Sequence, residues 1–238
     1  MTSVFEMTVD ELKHKVKRIR DLGWIRSYRK GDTGVGHTLE GWLGIGENNV
    51  SLPDWGVLEV KTTRRDSNTP ITLFAKSPKL VKGTSRKEFM ENHGYWDESK
   101  RRQALYTTLN AINPNSLGWM MVVDRVARKI LFLHYTEVVA FQDTKTLKEK
   151  MREKLSNLVL IIADRKSDGR DEYFHYDEAY LLADADIDRL LDLVEAGDIT
   201  FDWRMHLKSS GVVRDHGPGY RMLENKLPNL YRHRERII

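Results

Sequence analysis

The chain has 238 residues, of which 40% are hydrophobic and 31% are charged, and its formal net charge is +4. A chain of this length buries enough surface for one substantial domain, or for a domain with an added lobe. No apolar run approaches the roughly 20 residues that span a bilayer, and the first residues lack the apolar core of a signal peptide. Cysteine is absent, which excludes disulfides and thiolate metal sites and favours the cytoplasm.

Basic residues are unevenly distributed along the chain, although the net charge is small. They concentrate in five segments, whereas acidic residues dominate the segment 177–198. A positive surface able to hold a polyanion would account for this segregation, and so would several solvated helix faces. The basic segments are residues 13–20, 26–30, 61–65, 76–87 and 231–236.

The first part of the chain predicts two helices separated by a glycine-rich loop. Thr8 and Glu11 have the spacing of a capping box, and apolar residues at helical spacing follow them as far as Gly23, which predicts the end of the helix. The loop RKGDTGVG occupies residues 29–36, and HTLEGWLGI after it predicts a second, short helix.

The middle of the stretch SLPDWGVLEVKTTRR (residues 51–65), from Gly56 to Thr63, predicts the first strand. Within it, Leu58 and Val60 point to one face, and Glu59 and Lys61 fall side by side on the other. The run ITLFAK, residues 71–76, predicts a second strand paired with the first.

The remaining elements predict a mixed α+β fold with a central sheet. The capping pattern at Ser85 predicts a helix through Asn92, and the apolar spacing of Ala104, Leu105, Leu109 and Ile112 predicts another. Two apolar, β-branched runs predict a hairpin at 119–124 and 129–135. The later elements are a charged helix at about 144–157, a buried strand at 158–164, a helix at 184–196, a strand at 199–207, a loop through residue 221 and a basic C-terminal helix at 224–238.

The pair Glu59 and Lys61 is suited to phosphodiester hydrolysis. This reaction needs a hard cation on the scissile phosphate, an activated water and neutralisation of developing charge. Glu59 can hold Mg²⁺, which takes oxygen ligands, while Lys61 addresses the attacking water or a phosphate oxygen. The carbonyl of Val60 is a further candidate ligand, and a bend at Gly56 would let Asp54 converge on the same ion. A solvated edge strand would carry the same pair for solubility alone.

Two upstream features favour the nuclease interpretation. Glu40 adds a third acidic residue shortly before Asp54. The glycine-rich loop offers Arg29, Lys30, Thr33 and free backbone amides for phosphate contacts, although it lacks the Gly-Lys-Ser/Thr of a Walker A loop. A flexible connector ahead of a helix is the alternative interpretation of this loop.

These motifs resemble a known family. PD-x4-E-x-K, residues 53–61, is the signature of the PD-(D/E)XK nuclease superfamily. Residues 29–62, followed by ITLFAKSP, resemble the MvaI/BcnI family of type II restriction endonucleases, which is related to the MutH-like nicking enzymes of mismatch repair. The resemblance returns in DITFDWRMHLKSSG and RDHGPGYRM, is sparse from about 85 to 155, and covers about two thirds of the chain.

The resemblance implies a restriction-endonuclease-like core, with a central mixed sheet flanked by helices in a single domain, residues 1–238. It also implies a catalytic lobe (about 1–110), a recognition lobe (about 111–225) and a DNA cleft between them. The cofactor would be Mg²⁺, with Mn²⁺ substituting for it and Ca²⁺ supporting binding without cleavage. By position, the metal ligands would be Asp54 and Glu59, the catalytic lysine Lys61, and the auxiliary acidic residue Glu40.

Relatives of this kind are prokaryotic monomers that cut the two strands of a short, nearly palindromic duplex site in separate events. They read bases in the major groove from the C-terminal part of the chain. Arginine can contact guanine and a carboxylate can accept from cytosine, so we expect a target like CC-x-GG. The residues concerned are Asp202, Arg204, Arg214, His216 and Arg221.

Several alternatives remain open at this stage. Asp202 and Arg204 could form an exposed ion pair, and His216 could be an ordinary turn residue. The sequence departs from its relatives around Met205-His206 and Pro218-Gly219, which leaves the central base pair undetermined. Besides a restriction enzyme with a cognate DNA methyltransferase as its genetic partner, two other functions are possible. They are a MutH-like nicking enzyme directed by methylation and a partner protein, and a duplex-binding protein without catalysis.

Overall fold

The computed structural model describes residues 4–31, 33–44 and 58–238 of the chain. None of the helices in these ranges has the length and apolarity needed to cross a membrane. The predicted metal ligand Asp54, with the Pro-Asp turn before it, lies outside the described residues.

The described residues form a mixed α+β fold, as the sequence predicts. The helices are α1 (Val4–Asp21), α2 (Gly34–Leu43), α3 (Arg86–His93), α4 (Thr144–Lys154), α5 (Ile187–Glu195) and a 3-10 helix (Glu224–Leu230). The first eight strands are β1 (Ile25–Arg26), β2 (Glu59–Arg64), β3 (Pro70–Ala75), β4 (Lys79–Leu80), β5 (Tyr95–Asp97), β6 (Arg102–Leu109), β7 (Trp119–Asp124) and β8 (Lys129–His134). The others are β9 (Glu137–Asp143), β10 (Asn157–Ser167), β11 (Glu172–Ala185), β12 (Ile199–Leu207), β13 (Val213–Asp215), β14 (Gly219–Leu223) and β15 (Tyr231–Arg236).

The chain divides into two compact units, each assembled from separated segments. The first unit consists of Met1–Thr69, Leu155–Ala185 and Leu227–Ile238, and the second of Pro70–Lys154 and Asp186–Lys226. The predicted lobes, about 1–110 and 111–225, are each one continuous segment, whereas each compact unit combines segments that are far apart in the chain. The difference arises because β2 pairs with β10, which lies about a hundred residues further along the chain, and this pairing brings Leu155–Ala185 into the first unit.

The first unit is built on a mixed five-stranded sheet. Its order is β1-β11-β10-β2, with β15 paired to β11; β2 runs parallel to β10, and the other pairs are antiparallel. The apolar run predicted as a buried strand is the centre of β10, where six successive residues from Leu158 to Ala163 are buried. Helices α1 and α2 cover one face and form a core with it, which includes Leu12, Val16, Leu39, Leu43, Val159, Ile161 and Tyr176.

The second unit contains two antiparallel sheets. One has the order β3-β14-β12-β6-β5 with β13 paired to β12, and the other has the order β4-β9-β8-β7. The predicted hairpin is the β7–β8 pair, and the predicted strand 199–207 is β12. Large buried aromatic side chains pack against one another in this unit: Phe89, Trp119, Phe132, Phe201 and Trp203.

Several local predictions are confirmed. The capping box before α3 is present, with the Ser85 hydroxyl accepting from the Glu88 amide and the Glu88 carboxylate accepting from the Ser85 amide. Helix α2 follows the glycine-rich loop as expected, α1 ends just before Gly23, and α4 and α5 lie within the predicted ranges.

Other predictions are wrong, mainly where distant pairing decides the structure. Residues 104–109, predicted as part of a helix, form strand β6 because they pair with β12. The strand predicted at 71–76 is present as β3 (Pro70–Ala75), but β3 pairs with β14 rather than with β2. The segment 209–221, predicted as a loop, contains β13 and the start of β14. The capping box at Thr8 is also wrong, since α1 begins at Val4.

The predicted C-terminal helix at 224–238 is likewise wrong. The segment forms a short 3-10 helix and then strand β15, which adds to the edge of β11. Pro228 lies within the 3-10 helix, and a proline in this position disfavours a longer α-helix.

Candidate active site and nucleic-acid interface

Strand β2 places Glu59 and Lys61 side by side, as predicted. Glu59 pairs with Leu158 and Lys61 with Leu160 of β10, so the two residues share one face of the sheet. Nζ of Lys61 donates to Oε1 of Glu59 at 3.3 Å. Both side chains are half-buried, at 25% exposure for Lys61 and 39% for Glu59, which keeps them within reach of a substrate.

Val60 occupies the opposite face of β2. Its side chain packs against the core formed with α1 and α2 and fixes the strand against that core. This alternation is what directs Glu59 and Lys61 away from the helices. The role of the Val60 carbonyl as a metal ligand remains a prediction.

Glu40 lies on α2, which packs against β2. The side chain of Glu40 is half-buried, and Thr38, Leu39 and Leu43 of the same helix are buried. Tyr176 of β11 holds the start of the helix, because its buried hydroxyl donates to the carbonyl of Val35 at 2.8 Å. The helix therefore has a fixed position beside the strand that carries Glu59.

The oxygen atoms that β2 offers are of the types that a hard divalent cation binds. Glu59 offers carboxylate oxygens and Val60 a backbone carbonyl, and Mg²⁺ takes oxygen ligands of both types. Within the described ranges, no three acidic or imidazole side chains lie close enough together to hold a metal ion. Asp54, the second predicted carboxylate ligand, lies outside those ranges, so its role remains a prediction.

Tyr231 is a buried residue, affected by the charge of Glu59, that the sequence analysis missed. Burial raises the pKa of the Tyr231 phenol, and the nearby Glu59 carboxylate raises it further. The tyrosine therefore stays protonated at neutral pH. It was missed because it begins β15, a segment predicted as helix, and no local pattern relates it to β2.

The loop before α2 carries the predicted phosphate contacts Lys30 and Thr33. Both residues are exposed, and the Thr33 side chain makes no capping hydrogen bond at the start of α2. The tight turn depends on Gly34, because an added Cβ would lie 2.5 Å from the carbonyl oxygen of Arg29. Lys30 also borders an open cavity of about 500 Å³ lined by residues 26–30 together with Asp171 and Glu172.

In the second unit, Asp202 is engaged with Arg221 rather than with Arg204. The Asp202 carboxylate accepts from Nη1 of Arg221 at 2.9 Å and from the Thr108 hydroxyl at 2.7 Å, and the residue is only 8% exposed. Arg221 also donates from Nη2 to the carbonyl of Pro70 at 2.5 Å. The suggested exposed pair of Asp202 with Arg204 is therefore not formed, and Arg204 is exposed on β12.

Near Arg204, His216 belongs to a stack of three rings with His206 and Tyr106. Nε2 of His216 and the Tyr106 hydroxyl lie 3.3 Å and 3.0 Å from Nδ1 of His206. Burial lowers the pKa of His206, and nearby Arg102 and His216 lower it further. The backbone amide of His216 donates to the Arg204 carbonyl at 2.8 Å.

The stack fixes the exposed side of β12 and β13. Arg214 of β13 is exposed and pairs in register with His206 of β12. Gly217 follows His216 with φ +81°, so a turn does occur here, as the alternative interpretation proposed. The turn and an outward-facing His216 are compatible, because the residue is exposed. The DNA contacts of these residues remain predictions.

Comparisons with known proteins agree with the resemblance seen in the sequence. A family model described as the MvaI/BcnI restriction endonuclease family matches residues 13–231. Among solved structures, "Restriction endonuclease MvaI-cognate DNA substrate complex" is similar over 100% of both chains, with a TM-score of 0.73 and 25% identity. "Restriction endonuclease MvaI in the absence of DNA" is similar over the same share, with a TM-score of 0.67 and 26% identity. A comparison with curated proteins gave no match. The chain belongs to the MvaI/BcnI restriction endonuclease family and is a type II restriction endonuclease that acts on DNA.

Proposed function

We propose that the enzyme is a Mg²⁺-dependent endonuclease that hydrolyses one phosphodiester bond at a time in a short, pseudo-palindromic duplex site, with a sequence like CC-x-GG. It would act as a monomer in the cytoplasm of a prokaryote, with a DNA methyltransferase as its genetic partner. The observation that carries the proposal is the adjacency of Glu59 and Lys61 on one face of β2, with 3.3 Å between Oε1 and Nζ.

A divalent ion held by Glu59, Asp54 and the Val60 carbonyl would polarise the phosphate and lower the pKa of a bound water. Lys61 would donate from Nζ to a phosphate oxygen or to the attacking water, and its charge would offset the negative charge that develops in the transition state. Glu59 holds this ammonium group in place through their hydrogen bond. Glu40, on the neighbouring helix, would act as an auxiliary acidic residue at the edge of the site.

Recognition would be the task of the second unit. Arg204 and Arg214 are exposed and suited to bidentate contacts with guanine O6 and N7, each worth about 1–3 kcal/mol against a wrong base. Arg221 and Asp202 hold each other in fixed orientations, which lowers the entropic cost of presenting them to a base pair. Lys30 and Thr33 would contact the DNA backbone and thereby set the register without reading sequence.

The experiment that tests this proposal is plasmid digestion by the purified protein. We expect discrete fragments with Mg²⁺ or Mn²⁺, none with EDTA, and duplex binding without cleavage in Ca²⁺. Because one active site must bind each strand in turn, nicked circles should precede linear DNA. Sequencing of the fragment ends gives the recognition site. Nicking that never proceeds to linear DNA would support a MutH-like enzyme, and binding without any cut would support a non-catalytic protein.

A further inference from the structure

The C-terminal strand β15 carries arginine at every second position. Arg232, Arg234 and Arg236 are all exposed. Glu235, between two of them, faces α1, since its Oε1 lies 3.9 Å from Nζ of Lys13. Successive side chains of a strand point to opposite faces, so the arginines project from the face of the sheet that lies opposite α1.

Strand register aligns two of these arginines with the candidate catalytic residues. Residues paired on neighbouring strands share a face of the sheet. Two rows of paired residues therefore run across this face from β2 to β15. Each row crosses three strand spacings of about 4.8 Å, which places its ends about 14 Å apart. The rows are Glu59–Leu158–Leu182–Arg234 and Lys61–Leu160–Tyr180–Arg236.

The middle of the first row is apolar, and the middle of the second consists of Leu160 and Tyr180. Leu158, Leu160 and Leu182 are completely buried, so other parts of the chain cover them. The candidate catalytic pair on β2 and the arginines on β15 therefore lie on either side of this buried centre, and Glu178 of β11 adds a carboxylate beside Tyr180 on the same face. About 14 Å is also the rise of about four base pairs along a DNA duplex, at 3.4 Å per pair.

The two guanidinium groups are held in place but keep donors available. Arg234 lies over the ring of Tyr180, with Cζ 5.7 Å from the ring centroid, and the Tyr180 hydroxyl donates to Glu178. Nε of Arg236 donates to the carbonyl of Ile238 at 2.7 Å. Among the described residues, no Asp or Glu carboxylate lies within ion-pairing distance of either guanidinium group, although the Glu178 carboxylate is close enough to Arg236 for the two charges to interact.

We propose that Arg234 and Arg236 bind backbone phosphates of duplex DNA outside the bases that are read, and thereby help to position the strand to be cut at the candidate catalytic pair on β2. This inference rests on the proposed function, and it adds a site on β15. Arginine binds phosphate bidentately and irrespective of sequence, which suits a contact to the flanking DNA.

A charged edge strand has another established use. Exposed charges on such a strand prevent it from pairing with a second copy of the chain. If this were the only role of the arginines, their removal would promote self-association and leave DNA binding unchanged. The two roles are therefore separable by experiment.

The experiment measures duplex binding of wild type and of the double variant R234Q/R236Q in Ca²⁺, across a range of salt concentrations. Loss of two phosphate contacts should reduce the slope of log affinity against log salt by about 1.8 on a long duplex of arbitrary sequence. The double variant R234K/R236K should keep the slope close to wild type, since lysine retains the charge. Arg170, exposed at the tip of the β10–β11 hairpin, provides the matched control R170Q, which should bind like wild type.

A second measurement locates the contact. On duplexes that contain the mapped cleavage site, lengthening the flanks from about two to about ten base pairs should raise the affinity of wild type, because flanks of about four base pairs are needed to reach β15. R234Q/R236Q should lose this gain. An unchanged slope together with an unchanged response to flank length would overturn the inference. The salt measurement needs no cleavage, so it tests the phosphate contacts of Arg234 and Arg236 even if the enzyme does not cut. A wild-type protein that binds duplex DNA but never cuts it would refute the proposed function alone.

Discussion

Arg221 and Asp202 form an ion pair between neighbouring strands of the second unit, with Nη1 and Oδ2 separated by 2.9 Å. The aspartate side chain is 11% exposed and the arginine side chain 30% exposed. The Thr108 hydroxyl donates a further hydrogen bond to Asp202, and the Pro70 carbonyl accepts one from Arg221. The orientation of both groups is therefore set by the protein before any DNA is bound.

Removing one partner of this pair should destabilise the fold. We expect D202A to lower the free energy of unfolding by about 2–3 kcal/mol. This loss is smaller than that expected for breaking a fully buried ion pair, because Arg221 is partly solvated. Urea denaturation measures this difference. R204A, which removes an exposed side chain from the same strand, should cost less than about 0.5 kcal/mol. Equal stability of D202A and wild type would show that the pair is not a structural element.

Arg204 should affect sequence choice more than binding in general. If it contacts guanine, R204A should lose about 1–3 kcal/mol of discrimination at one base pair of the site. The measurement is kcat/KM on duplexes that carry each single base substitution. A uniform loss across all duplexes, with a salt slope smaller by about 0.9, would instead identify Arg204 as a phosphate contact.

Local sequence patterns predicted the elements whose determinants lie close together in the chain. The Ser85–Glu88 capping box, the β7–β8 hairpin and the alternation through β2 all depend on residues a few positions apart. For the same reason, the adjacency of Glu59 and Lys61 was predictable, since it follows from the two-residue period of a strand.

The remaining features depend on pairing between distant segments. The apolar spacing of Ala104–Leu109 is compatible with either a helix or a strand, and pairing with β12 decides for a strand. The arginine-rich segment 231–236 is a strand because β11 offers it an open edge. The electrostatic effect of Glu59 on Tyr231 also joins distant segments of the chain, and no local motif indicates it.

Lys61 should be required for cleavage but not for binding. K61A should reduce plasmid cleavage by at least about a hundredfold, the lower end of the effect of losing one electrostatic stabiliser of a transition state. Its affinity for duplex DNA in Ca²⁺ should remain near wild type. K148A, a matched loss of an exposed lysine on α4, should cut normally. Normal cleavage by K61A would show that the catalytic lysine lies elsewhere.

Arg65 connects three carboxylates at the end of β2. Its guanidinium donates to Asp164 at 2.7 Å, to Asp177 at 2.8 Å and to Glu178 at 2.5 Å. R65A should lower the free energy of unfolding at pH 7 by about 1 kcal/mol, a modest value because the arginine is 45% exposed. R170A is the control for loss of an exposed arginine in the same unit.

The effect of R65A should depend on pH in a defined direction. Hydrogen bonds from Tyr180 and then from Arg65 lower the pKa of Glu178 from its ordinary value of 4.5. Stability from this group is therefore present above pH 4.5 and is lost as the pH falls through the folded-state pKa. The difference between wild type and R65A should shrink on acidification, which urea denaturation across this range would measure. A constant difference would exclude the carboxylates as its source.

His93 and His134 should make the second unit sensitive to mild acid. Their Nδ1 atoms lie 2.9 Å apart, and Trp119 stacks on His134 with 4.6 Å between the ring centroids. Burial lowers the pKa of both imidazoles from 6.5, and His134 lowers that of His93 further. Glu137 partly opposes this at His93, and a backbone hydrogen bond with Leu117 and the charge of Glu137 partly oppose it at His134. The unfolded chain therefore binds more protons than the folded one just below pH 6.5, so stability is complete above this pH and falls on acidification.

Urea denaturation between about pH 7.5 and 5.5 should show a smaller fall for H93N than for wild type, because H93N removes one of the groups that titrate in this window. H14N, which changes an exposed histidine of α1, should follow the wild-type curve. Parallel curves for wild type and H93N would mean that the pair does not control the acid response.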